Sequence, residues 1–75
     1  MLKVGKYKHF KGNIYMLLST AEHSETNELY CVYQEMLNEN VMPNGKIWIR
    51  PFDMWIEKVV WPDGETKSRF MYIGE

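Results

Sequence analysis

With 75 residues the chain has room for one domain and no second folded unit, so residues 1–75 are read as a single small domain. Hydrophobic residues make up 45% and aromatic ones 15%, a supply that argues against disorder, while a formal charge of −1 with scattered Lys and Arg leaves no basic footprint for nucleic acid. A lone Cys31 excludes an internal disulfide, and no segment approaches the roughly 20 apolar residues that span a bilayer, so a soluble, cytoplasmic protein held by its core or by a partner is expected.

Strand alternation opens the chain. In "GKYKHF" Tyr7 and His9 fall on one face and Lys8 and Phe10 on the other, until "KGN" supplies residues that tolerate positive φ and marks a turn. "IYMLLST" then reads as a strand rich enough in apolar residues to be covered on both faces, closing a first hairpin. "HSETNE" offers the short polar side chains that bond back to their own backbone, and reads as a hairpin tip. "ELYCVYQEM" resumes alternation, with Leu29, Cys31 and Tyr33 on one face, which predicts a three-strand meander. "LNENVMPNGK" carries Pro43 and Asn44-Gly45 and reads as a polar, mobile loop.

"IWIR" is a short strand stopped by Pro51, and a helical turn is expected near residues 51–54. "WIEKVVW" fits a helix burying Phe52, Trp55, Ile56 and Val59, or a strand. Its β-branched and aromatic content and the "PDGE" turn favour the strand, paired with "KSRFMYI". Five or six short antiparallel strands with one helical turn describe an all-β fold, a small SH3-like barrel whose closure would remove exposed edges.

The ordered words "GKYKHFKGNIY", "AEHSET", "VY", "WIRP" and "RF" resemble the pattern of the family called domain of unknown function 1653, small bacterial proteins of SH3-like barrel type, through roughly residues 5–73. Two departures stand out. The loop "LNENVMPNG" is longer than the family's usual connection, and Trp55 stands where phenylalanine is typical. The resemblance implies a fold and no activity.

Candidate chemistry gathers on a few side chains. His9, mid-strand, and His23, at a tip, each have a structural role open to them as well as a binding one, since imidazole is both a turn-fixing group and a ligand group. The two histidines and Cys31 lack the close paired spacing of a zinc site, so no metal or other cofactor is expected. His23 with Ser24, Glu25 or Thr26 makes no nucleophilic device, because neighbours on a strand end point to opposite sides. Arg50 before Pro51 is the more informative group: a planar fork on a fixed chain suits carboxylates and phosphates, with an internal salt bridge to Glu25, Asp53 or Glu57 as its plain alternative. Arg69 beside Phe70 reads the same way, and Trp48 and Tyr33 either line a groove or join the core.

The expected site is thus a polar pocket of His9, His23, Glu25, Thr26, Tyr33, Trp48, Arg50 and Arg69, with no catalytic residue assigned. The function read from it is a non-enzymatic binding module for a peptide segment or small anionic ligand, with possible self-association. Two alternatives stand beside it: a small hydrolase using His9 or His23 as general base, and a weak nucleic-acid binder using Lys3, Lys6, Lys8 and Lys11.

Overall fold

The computed structural model describes residues 2–75. Its elements follow the turn words. β1 (Gly5–His9) and β2 (Ile14–Glu22) form a hairpin around "FKGN", and β3 (Leu29–Met36) returns antiparallel to β2 after the "HSETNE" tip. β4 (Ile47–Pro51) pairs with β3 and runs directly into the five-residue helix α1 (Phe52–Ile56). β5 (Lys58–Val60) and β6 (Thr66–Ser68) make a separate small hairpin, and β7 (Phe70–Gly74) returns to pair with β1. All strand pairings are antiparallel, as the meander pattern requires.

The fold is all-β, but it is not a closed barrel. The large sheet has the order β4-β3-β2-β1-β7, and its end strands β4 and β7 do not pair with each other. Trp55 on α1 fills the concave face instead: it stacks on Phe70 at 3.7 Å and meets Tyr7 and Tyr33 edge-on at 5.3 and 5.0 Å. Helix packing thereby takes the place of the last strand pairing. The same burial corrects the reading of "WIEKVVW", whose first two residues are helical and only Lys58–Val60 a strand. Pro51, at φ −52°, ends the ladder and sets the entry to the helix, and the turn that follows carries Trp55 inward, leaving it 1% exposed. The strand that the sequence favoured through Arg69 is broken there. Arg69 N–H donates to the Glu57 carbonyl at 2.7 Å and its carbonyl accepts from Phe10 N–H at 3.0 Å, so one residue joins the small hairpin to the large sheet.

Large rings carry the core, as composition predicts. Tyr7, Tyr33, Trp55 and Phe70 are buried with Leu17 and Cys31, and the edge-on ring pairs among them each contribute about 0.5–1.5 kcal/mol beyond area burial. Trp48 stays exposed at the sheet edge on β4, although it stands opposite the buried Tyr33.

Candidate functional site

Residues directly opposite in an antiparallel pair share a face, so the register defines one concave face. His9 stands opposite Phe70, Tyr7 opposite Tyr15, Tyr15 opposite Glu35, Tyr33 opposite Trp48, and Cys31 opposite Arg50. α1 covers the centre of this face. Toward β4 and the β1 end this face carries Arg50 and Tyr15, half-buried, and Tyr33, Phe70 and His9, buried.

Arg50 is held in place without a carboxylate. Its Nε–H donates to the Tyr33 hydroxyl at 3.3 Å, and its guanidinium lies 5.4 Å from the centre of the Phe70 ring. Among the described residues the ion pairs are Lys67 with Asp63 and Glu65, and Arg69 with Glu57. The remaining guanidinium N–H groups of Arg50 have no hydrogen-bond partner among the described residues. Arg69, by contrast, is paired with a carboxylate: Nη2 donates to Glu57 Oε1 at 2.9 Å and Nε to the Met54 carbonyl at 3.2 Å. The internal salt bridge that the sequence left open for both arginines belongs to Arg69 alone.

His9 packs on Phe70 and Phe10, with ring centres 4.8 and 4.7 Å away, and is buried. Its Nδ1 accepts from Lys11 N–H at 3.2 Å, while His9 N–H and C=O close the turn with Asn13 and Gly12. That acceptor role places the proton of the neutral ring on Nε2, which makes no hydrogen bond among the described residues. Burial, followed by the positive charges of Arg50, Arg69 and Lys11, lowers the His9 pKa from 6.5 to about 4. The sign of the resulting pH dependence is fixed. The unfolded chain takes up a proton as pH falls through 6.5, and the folded ring resists until about 4, so stability is lost within that window and not above it. Allowing for solvent at the ring edge, the loss is about 2 kcal/mol. Urea denaturation at pH 7 and pH 4.5 measures it, and His9→Asn, which keeps an acceptor for Lys11 N–H, is expected to flatten that part of the profile.

His23, Glu25 and Thr26 lie elsewhere. The β1–β2 turn and the β2–β3 tip are at opposite ends of β2, eight residue steps apart, about 26 Å of strand, so the predicted polar pocket divides in two. At the tip His23 Nδ1 accepts from Glu25 N–H and Thr26 N–H at 3.1 and 3.4 Å, and Thr26 Oγ1 accepts from Glu28 N–H at 3.2 Å. His9, the last residue of β1, and His23, the residue just after β2, thus both precede a turn and accept from the backbone two residues on. Among the described residues neither imidazole contacts a hydroxyl, thiol or carboxylate side chain as a base would. Burial pushes the Cys31 thiol up to about 11, which keeps it protonated and unreactive.

Trp48 borders the Arg50 region. Its indole N–H donates to Glu35 Oε2 at 2.6 Å, and Lys46 Nζ lies 5.5 Å from the centre of its ring. Sequence reasoning missed Tyr15, Glu35 and Phe70 as members of this surface. Period-two alternation puts Tyr15 with Leu17 and Phe70 with Tyr72, but only the pairing register brings them beside His9 and Arg50. Of the four lysines considered for nucleic acid, Lys3 lies over Tyr72, Lys6 donates to the Glu39 carbonyl, and Lys8 and Lys11 border one cleft, with Lys11 over Phe10. No group of three or more His, Cys, Asp or Glu capable of holding a metal occurs among the described residues. Two open clefts, about 580 and 490 Å³, lie away from Arg50, against Lys3, Met16 and Tyr72 and against Leu2, Ala21 and Phe52. They carry volume without convergent polar groups, so the chemistry, and not the cleft size, locates the candidate site.

Comparison with known proteins agrees with this architecture. The family described as "Protein of unknown function (DUF1653)" matches residues 5–72. A crystal structure of a DUF1653 protein from Bordetella bronchiseptica is similar at 32% identity and a TM-score of 0.78, covering 97% of this chain and 88% of that one. No functionally curated protein matches.

Proposed function

The chain belongs to the DUF1653 family, and on that premise we propose that it is a binding module recognising an anionic group, a carboxylate or phosphate, at Arg50. One observation carries the reading: a half-buried guanidinium is fixed by Tyr33 and Phe70, yet meets no carboxylate. Internal arginines at this depth are ordinarily paired, because an uncompensated charge is expensive to desolvate. A planar fork already held in one orientation loses little freedom on meeting an oxyanion, and charge-assisted bonds of this kind are worth about 1.5–3 kcal/mol each. The neutral Nε2–H of His9 and the hydroxyls of Tyr15 and Tyr33 add donors beside it. The exposed Trp48 ring adds flat apolar surface for whatever the anion is attached to.

Titration with benzoate, acetate and inorganic phosphate, followed by NMR on the His9 ring and the Arg50 side chain, tests the reading. Benzoate is expected to move both sets of signals together, and Arg50→Met, which keeps the length and removes the fork, is expected to weaken it at least tenfold. Unchanged affinity in Arg50→Met removes Arg50 from the site.

A further inference from the structure

β4 is an edge strand, closed at its end by Pro51 but with no charge among its convex-face side chains. Its hydrogen-bonded neighbour is β3 on one side, and in the sheet order nothing lies beyond it. Glu35 N–H donates to the Lys46 carbonyl at 3.0 Å, which fixes the phase of the β3–β4 ladder. By the alternation of an antiparallel pair, Trp48 and Arg50 then exchange bonds with Tyr33 and Cys31, while Ile47 and Ile49 turn their N–H and C=O groups toward the open edge. Those two residues offer an incoming strand two donors and two acceptors. Pro51, without an N–H, ends the row. Edges are normally blunted by charges pointing along them, by bulges or by brevity, and β4 instead exposes Ile47 and Ile49 on the convex face at 60% and 63%.

The other face of the same strand is cationic. Lys46, Trp48 and Arg50 alternate with the two isoleucines, Lys46 covers the Trp48 ring, and the Glu35 carboxylate that accepts from the Trp48 indole leaves two positive charges against one negative. This local positive stripe contrasts with the chain's net charge of −1. An occupant of the edge therefore needs free backbone groups, apolar side chains on one face and a carboxylate on the other. A second copy of β4 supplies the first two and brings more positive charge where a negative one is wanted.

Resting on the reading of Arg50 as an anion anchor, we infer that β4 is a strand-addition site for an extended acidic peptide segment, with an Asp or Glu side chain opposite Arg50 and β-branched residues opposite Ile49 and Ile47. Strand addition gives affinity through main-chain bonds and selectivity through alternate side chains. In the antiparallel register the segment reads acid, β-branched, any residue, β-branched. A capped probe, acetyl-Thr-Glu-Val-Thr-Val-Thr-amide, has this order and no terminal carboxylate.

Amide hydrogen exchange read by NMR on the full chain is the test. Saturating probe is expected to slow exchange at Ile47 and Ile49 at least tenfold and to leave Trp48 and Arg50, already bonded to β3, unchanged. Replacing the probe's Glu by Gln is expected to weaken binding about tenfold, and methylating both Val nitrogens to abolish it. Binding without protection at Ile47 and Ile49, or equal binding by the Gln or N-methylated probe, overturns the inference. Protection that rises with protein concentration in the absence of probe also overturns it, and makes a second copy the occupant. If benzoate still moves the His9 and Arg50 signals while the probe does nothing, strand addition fails and the anion site stands; if neither acts, both fail.

Discussion

Trp55→Ala is expected to remove about 3–5 kcal/mol, a large share of what holds this domain together. A 75-residue fold has a total stability of about 4–11 kcal/mol at ordinary values per residue, so the variant should melt at a much lower temperature and urea concentration than the parent. The size of the effect follows from position. Trp55 is the largest fully buried side chain, and it is the piece that fills the concave face where the sheet fails to close. Trp55→Phe should behave quite differently. The indole Nε1 is buried with no hydrogen-bond partner, a group whose desolvation costs about 1–3 kcal/mol. Phenylalanine keeps a ring parallel to Phe70 and discards that donor, so the lost area and the removed penalty offset each other to within about 1 kcal/mol. Urea denaturation of the two variants checks the pair. If Phe is as damaging as Ala, the indole N–H is satisfied in solution and stacking on Phe70 is not the main contribution of Trp55.

The same residue marks the boundary of what the sequence makes legible. β1, β2 and β3 can be read from "GKYKHF", "IYMLLST" and "ELYCVYQEM", because alternation has a period of two wherever one face is buried and the turn words between them are local. The all-β class follows from those strands. "FDMWIEKVV" is different: five helical residues and three strand residues are each too short for periodicity to decide, and Trp55 turns inward because Phe70, fifteen residues later, is there to receive it. Closure into a barrel fails for the same reason, since it depends on two end strands and on what lies between them.

The site divides along the same line. Arg50 was conspicuous because Pro51 follows it, but its fate and that of Arg69 were indistinguishable until Glu57 was placed beside Arg69. Grouping His23 with His9 rested on residue type, and the length of β2 separates them. What each histidine does for its own turn is local, and to that extent it was readable from "HFKGN" and "HSETNE".

Gly5→Ala is the second substitution with a large expected effect, about 3 kcal/mol, and it bears on function through the β1–β7 register. Gly5 is buried at φ +138°, a conformation essentially confined to glycine, and a Cβ there would stand 2.8 Å from the Gly74 carbonyl oxygen and 3.0 Å from the Tyr72 ring. The carbonyl is backbone and cannot swing aside as a flexible side chain does. Gly74 has the same φ but open space around it, so Gly74→Ala isolates the conformational part, about 1–2 kcal/mol, and the remainder in Gly5→Ala is the clash. A chain that relieves the clash must part β1 from β7, where Tyr7 stands opposite Tyr72 and His9 opposite Phe70. Arg50 rests on that same Phe70 ring, so Gly5→Ala should weaken benzoate binding as well as folding, while Gly74→Ala should leave binding by the folded fraction unchanged. Thermal melts and the benzoate titration on both variants separate these effects. Equal losses of stability would show that the close approach of Gly5 to Gly74 is relieved without cost, and the link from register to anion site would then have to be abandoned.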